Sequence, residues 1–190
     1  HNALDEIPKF ETLQICSLMD MRFITGQPEL QNQVLAHLRK HTSPEQFVKD
    51  RVAEHYAEVA KYSTNNSHPP FNLKYGEGSL SHFHRAVSIL SIDEWESSTA
   101  IYKRIPPEIV DYVGILLKAR AWLNLRKGLR AEDLNNGKIT PGVDRTLDTF
   151  TVQDAVFFGE YFGPGSVDIL NQARTAVKHY AQAIINKKPI

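Results

Sequence analysis

Cysteine is nearly missing from this chain of 190 residues, Cys16 being the only one. One thiol cannot close an internal disulfide, which suits a reducing compartment, and the apolar neighbours Leu13, Ile15 and Leu18 mark Cys16 as a core residue. An excess of either charge is missing too, since Lys plus Arg and Asp plus Glu stand at 22 each. Without a net field, neither nucleic acid nor an anionic membrane surface is an expected partner. Apolar runs fall far short of the roughly 18 residues that span a bilayer, and no signal-peptide pattern opens the sequence, so a cytoplasmic protein is expected. Several catalytic fingerprints are missing as well: there is no Gly-x-Ser-x-Gly elbow, no phosphate loop and no dinucleotide motif. Nor is there an adjacent His-Asp pair, which disfavours a helical nucleotide hydrolase built on such residues.

Helical punctuation is plentiful. Gly26-Gln-Pro28 closes one segment and opens another with proline at the first helical position, after which Leu30, Val34, Leu35 and Leu38 recur at helical spacing. Ser43-Pro44-Glu45-Gln46 reads as a capping box opening a helix with Val48, Val52, Tyr56, Val59 and Ala60 on its apolar side. These two helices are expected to pair antiparallel. Residues 63–72 carry no periodicity and read as a surface loop leading to a Gly76-Glu77-Gly78 turn. A helix should start near Ser79 with Leu80, Phe83, Val87 and Leu90 on one face, followed by a short one through Trp95 and Ile101. Pro106-Pro107-Glu108 opens the longest apolar helix, with Ile109, Val113, Leu116, Leu117 and Leu123. Residues 128–148 hold turns at Asn135-Asn136-Gly137 and Thr140-Pro141-Gly142, with a short extended piece at Lys138-Ile139-Thr140. Thr151 to Phe162 is helical again, Gly163-Pro164-Gly165 breaks it, and Ser166 caps a last helix whose seam is Leu170, Ala173, Val177, Tyr180 and Ile184. Six or more helices, no convincing strand and no internal repeat predict an all-α helical bundle, and the length suits one domain with a real core.

Three groupings are candidates for chemistry. Lys74, Gly76 and Gly78 precede a helix start, where glycine amides and a lysine favour phosphate or carboxylate; the plain alternative is that the glycines only make the turn. Arg120, Arg126, Lys127 and Arg130 line the end of the long helix, where they suit a nucleotide phosphate, an acidic partner or simply the helix dipole. His37 and His41 sit at i and i+4, and His82 and His84 flank Phe83 with His68 nearby. A metal needs three or four convergent ligands, and Arg39 and Lys40 between the first two repel a cation, so no metal site is expected.

Two phrases, Ser17-Leu-Met-Asp-Met-Arg-Phe-Ile-Thr-Gly26 and Phe71-Asn-Leu-Lys-Tyr-Gly-Glu-Gly-Ser-Leu80, resemble the helical domain that follows the catalytic domain in bacterial PII uridylyltransferases and glutamine synthetase adenylyltransferases. Leu147-Asp-Thr-Phe-Thr-Val-Gln153, Phe162-Gly163 and the amphipathic stretch Val167 to Ile185, with Val177, His179 and Tyr180, extend the similarity over nearly the whole chain. The resemblance implies a catalytic remnant or junction over residues 1–26, since His1-Asn2-Ala-Leu-Asp-Glu is similar to the end of the family's catalytic domain, and a helical accessory domain over 27–190. It places the acid of the first phrase near the nucleotidyl-transfer site, making Asp20 a candidate third carboxylate or orienting group, the alternative for Asp20 and Arg22 being an ion pair with a neighbouring helix, and it implies that Asp20–Gly26 and Gly76–Gly78 lie close together. Asp20, Arg22, Lys74, Gly76, Gly78 and Arg85 are then candidate nucleotide or interdomain contacts, with Arg120 and Arg126 as candidate phosphate or acidic-partner contacts.

Where the family reads glycine-leucine-arginine-acid, this chain has Ser79-Leu80-Ser81-His82, and Arg85 one turn on is the candidate substitute for the missing arginine. The superfamily's metal-holding aspartate-x-aspartate pair is also missing, and a departing pyrophosphate needs divalent charge beside it. No catalytic residue is therefore expected in this chain, and it reads as a noncatalytic, partner-binding fragment of a larger enzyme of nitrogen-type signalling. The resemblance implies magnesium and a nucleoside triphosphate for that parent enzyme, and as partners its nucleotidyltransferase domain and a PII-type or glutamine synthetase-type protein. The alternative is a free-standing helical protein-interaction domain without nucleotide chemistry.

Overall fold

The computed structural model describes residues 12–20, 28–62, 69–127 and 147–187. Among these, 78% are helical, in eight helices, so the fold is the all-α bundle expected. Helix α1 spans Thr12–Met19, α2 Pro28–His41, α3 Pro44–Tyr62, α4 Leu80–Glu94, α5 Ser98–Tyr102, α6 Pro107–Lys127, α7 Val152–Phe162 and α8 Ser166–Ile185. Strands β1 (Phe71–Asn72) and β2 (Thr149–Phe150) form one short antiparallel ladder pairing Phe71 with Phe150 and Asn72 with Thr149. The expectation of a surface loop reaching residue 72 is thus corrected: Phe71 and Asn72 are buried, and the two-residue ladder, too short to change the all-α class, satisfies their backbone where water cannot.

Local chemistry sets most helix ends. Ser79 and Ser97 cap α4 and α5 by accepting the amides of His82 and Ala100. Thr151 and Asp154 form a reciprocal capping box on α7. At α3 only half of the expected box forms: Ser43 Oγ accepts the Gln46 amide at 3.2 Å, while the Gln46 side chain turns along the helix to Asp50. Ser166 does not cap α8; it is the first helical residue, and Gly165 holds the cap position in a left-handed conformation with no side chain to contribute.

Two hydrophobic clusters meet across α4. Phe83 and Val87 face the larger one, built with β1, β2 and α5 to α8, and Ile89 and Ile92 face the smaller one with α1 to α3 and the end of α8. A helix apolar on both sides has to lie in the middle, and α4 packs against α3, α5, α6 and α8. The main partner of α3 is α4, not α2 as expected, because the buried side of α3 runs Phe47, Val48, Val52, His55 and leaves Tyr56 and Ala60 exposed. The seam of α8 likewise ends on buried Ala181 and Ile185, with Tyr180 and Ile184 half-buried. Leu117, expected in the core, is 49% exposed on α6. Helix α1 shares the smaller cluster through Ile15 and Met19, and the expected boundary at residues 26 and 27 lies outside the described residues, as do 128–146 with their expected turns.

Candidate functional site

The glycine phrase lies where three helices converge. Asn72, buried on β1, accepts the amides of Lys74 and Tyr75 through its side-chain oxygen at 2.9 and 2.8 Å, folding the chain back on itself. Gly76 and Gly78 then take φ of 88° and 68°, open to glycine at little cost. Three consecutive residues of the turn reach three different helices. The Gly76 amide donates to Glu58 of α3 at 2.9 Å, the Glu77 carboxylate pairs with Lys178 of α8, and the Gly78 amide donates to Nδ1 of His82 on α4 at 3.1 Å.

Glu58 is the electrostatic centre of this knot. Its carboxylate accepts from the Gly76 amide, from Ser81 Oγ, and from both terminal nitrogens of Arg85 at 2.9 and 2.5 Å. The two charged side chains are only 9% and 11% exposed. Burial pushes the Glu58 carboxyl upward, but Arg85, Ser81 and the Gly76 amide outweigh it and hold the group below its ordinary value. The anion facing the Gly76 amide is therefore the chain's own carboxylate. Ser81 and His82, standing where the resembled family has arginine and an acid, both bond inward, and Arg85 supplies the guanidinium from one turn on.

His82 rests against a residue that spacing did not single out. Its ring stacks on that of His55 with centroids 4.2 Å apart, and both side chains are buried. Burial above all, then the neighbouring His55 and Arg85, lowers the His82 pKa to about 3; His55 is lowered by burial and then by Arg85. The only trace of His55 in the sequence is its place three residues after Val52 and seven after Val48, on the apolar side of α3. A lone histidine there reads as a core residue.

The remaining candidates are dispersed. Asp20 accepts from the amide and hydroxyl of Ser98 at 2.7 and 2.9 Å, capping α5 just past the C-terminal end of α4. The glycine turn sits at the other end of α4, about 20 Å away for a helix of this length, so the expected proximity of Asp20 to Gly76–Gly78 does not occur. Arg22 lies outside the described residues. Lys74 places its ammonium 4.8 Å from the centre of the Tyr75 ring, which stacks on Tyr62. Arg120 pairs with Asp148, and Arg126 and Lys127 pair with Asp154. Those two acids are 7% and 4% exposed, so the cations at the end of α6 bind the segment around β2, with Arg126 also lying over Phe157 and Trp122.

Among the described residues no three His, Cys, Asp or Glu side chains gather as metal ligands. His37 and His41 bring their rings to 4.3 Å, whereas His82 is buried and His84 exposed. Likewise no helix among the described residues is long and apolar enough to cross a membrane. Comparison with family models, with curated proteins and with solved structures gives no match.

Proposed function

We propose that this chain is a noncatalytic helical accessory domain of the kind that follows the catalytic domain in PII uridylyltransferases and glutamine synthetase adenylyltransferases, acting in the cytoplasm through contact with proteins. The observation that carries this reading is the convergence of α3, α4 and α8 on residues 72–82. A phrase whose residues contact three helices has a use of its own in a chain without the aspartate-x-aspartate pair. The magnesium, the nucleoside triphosphate and the uridylyl or adenylyl transfer to a PII-type or glutamine synthetase-type protein belong to the parent enzyme. Exposed Val152, Val156 and Tyr161 of α7 are apolar surface on which its catalytic domain would seat.

Co-purification with a nucleotidyltransferase domain of this family, together with a transfer assay using magnesium, labelled nucleoside triphosphate and a PII-type protein, tests the proposal. Association without transfer by the isolated chain is the expected result. Robust labelling by the chain alone would place an active site here and end the proposal; failure to associate would favour the second reading.

That second reading, a free-standing helical protein-interaction domain without nucleotide chemistry, is favoured by Ser81, His82 and Arg85. All three are used inside the knot, and Glu58 takes the donors that a nucleotide phosphate would need.

A further inference from the structure

We propose that the stacked His55 and His82 rings form an acid-sensitive latch: proton uptake by the pair releases the Gly76–Gly78 turn from the bundle while the bundle stays folded. The geometry requires His82 Nδ1 to keep its lone pair, because it accepts the Gly78 amide at 3.1 Å. The neutral ring then carries its proton on Nε2. A second proton has to go on Nδ1, where it would point at the amide hydrogen and turn an acceptor into a second donor. Gly78 must then withdraw, since its own N–H is buried with the turn.

The surroundings make that proton hard to accommodate anywhere else. His82 Nε2 and His55 Nδ1 are buried without hydrogen-bond partners among the described residues. Gln182 of α8 hydrogen-bonds to His55 but brings no charge. The charged groups facing the pair are Glu58 from α3, Arg85 from α4, Glu77 from the turn and Lys178 from α8. Both carboxylates are already engaged, Glu58 by Arg85 and Glu77 by Lys178, so no free anion greets an imidazolium. Two cations stacked at 4.2 Å repel each other as well. Burial and this charge environment hold both histidines below their ordinary pKa, as expected for rings that stay neutral only while the turn is closed.

The turn is also the piece able to leave. Gly76, Glu77 and Gly78 are held by polar contacts, the amide bonds to Glu58 and His82, the Ser79 and Arg174 bonds to the Gly76 and Glu77 carbonyls and the Glu77–Lys178 ion pair, whereas the flanking Leu73 and Leu80, like α6 and α8, are held by the larger apolar cluster. Opening frees Lys178 from Glu77 and uncovers the donors around Glu58. The latch is independent of the nucleotidyltransferase reading, since it uses only groups within this chain.

Amide hydrogen exchange between pH 7.5 and 5.0, corrected for the intrinsic pH dependence, reads the latch directly. The Gly76 and Gly78 amides should exchange faster below about pH 6.5, by about tenfold per pH unit for each proton taken up. Amides of Leu116 and Leu123 in α6, which need the whole bundle to open, should stay far better protected than Gly76 and Gly78 throughout the range. His82→Gln keeps an acceptor for Gly78 but cannot titrate, so the slope should fall to at most one proton; adding His55→Phe should abolish it. Equal protection of Gly78 at both pH values, Gly78 and Leu116 protected to the same level throughout, or a rise that survives in the double variant would each overturn the latch. Should the double variant not fold, the comparison of Gly78 with Leu116 in the unaltered protein, and nitrogen NMR of the His82 tautomer, decide alone: an Nδ1-protonated neutral ring at pH 7.5 contradicts it.

Discussion

Gly78 is seated directly on the backbone of Arg174: a Cβ at position 78 would fall far inside contact distance of the Arg174 carbonyl oxygen and 3.1 Å from its carbonyl carbon. The obstacle is main chain in the middle of α8, which no rotamer change can move aside. With φ at 68° the position also disfavours any L side chain. The absence of a side chain at Gly78 is what lets the turn lie flat on α8.

Gly78→Ala should therefore destabilise the protein by about 2–5 kcal/mol, combining the left-handed backbone penalty with overpacking. Gly114, inside α6 with open space where a methyl group would stand, is the contrasting site. Gly114→Ala should stabilise by about 0.5–1 kcal/mol through helix propensity. Urea unfolding of both variants checks the pair, and similar effects at the two positions would contradict this account of the turn.

Glu58→Ala should cost about 3–5 kcal/mol, because it leaves Arg85 charged and nearly buried and strands the Gly76 amide. Arg85→Met combined with Glu58→Leu should recover much of that loss, since removing both charges also removes the desolvation cost. A double-mutant cycle by urea unfolding measures the coupling.

Lys74→Ala should cost no more than about 1 kcal/mol, the usual worth of a cation over an aromatic ring near solvent. If Lys74 serves a partner, the variant melts near the parent temperature and binds the nucleotidyltransferase domain more weakly. A large drop in melting temperature with unchanged binding would mark Lys74 as structural.

Two acids with lowered pKa give a separate acid limit. Glu58 is lowered despite burial by Arg85, Ser81 and Gly76, and Asp154 is lowered despite burial by Thr151 and Lys127. A carboxyl more acidic in the folded than in the unfolded chain stabilises fully above its unfolded value and loses that contribution as pH falls through the folded one. These two carboxyls should thus withdraw stability below about pH 4.5, the ordinary glutamate value, on top of the loss that starts near pH 6.5, where an unfolded chain takes up the protons that buried His55 and His82 refuse. Urea midpoints from pH 6 to 3 check this, and Asp154→Asn should flatten the lower part of the curve.

Helix content, most helix starts and the long α6 were legible in the sequence because they are local: proline at Pro28, Pro44 and Pro107, hydroxyls at Ser79 and Thr151, and three-four spacing act within one or two turns. The sequence also marked the glycine turn, since Gly76 and Gly78 need a conformation that few residues share. Tertiary structure alone decided what those residues do. Glu58 and His55 lie on a helix whose partner could not be read from periodicity, and only the packing of α3 on α4 brings them to Arg85 and His82. Arg120 and Arg126 meet Asp148 and Asp154 across 28 residues of chain, a pairing that helix-dipole reasoning at the end of α6 cannot see. Asp20 went to Ser98 at the far end of α4 from the turn because a carboxylate settles on the nearest uncapped amides, and which helix end lies nearest is a property of the folded bundle.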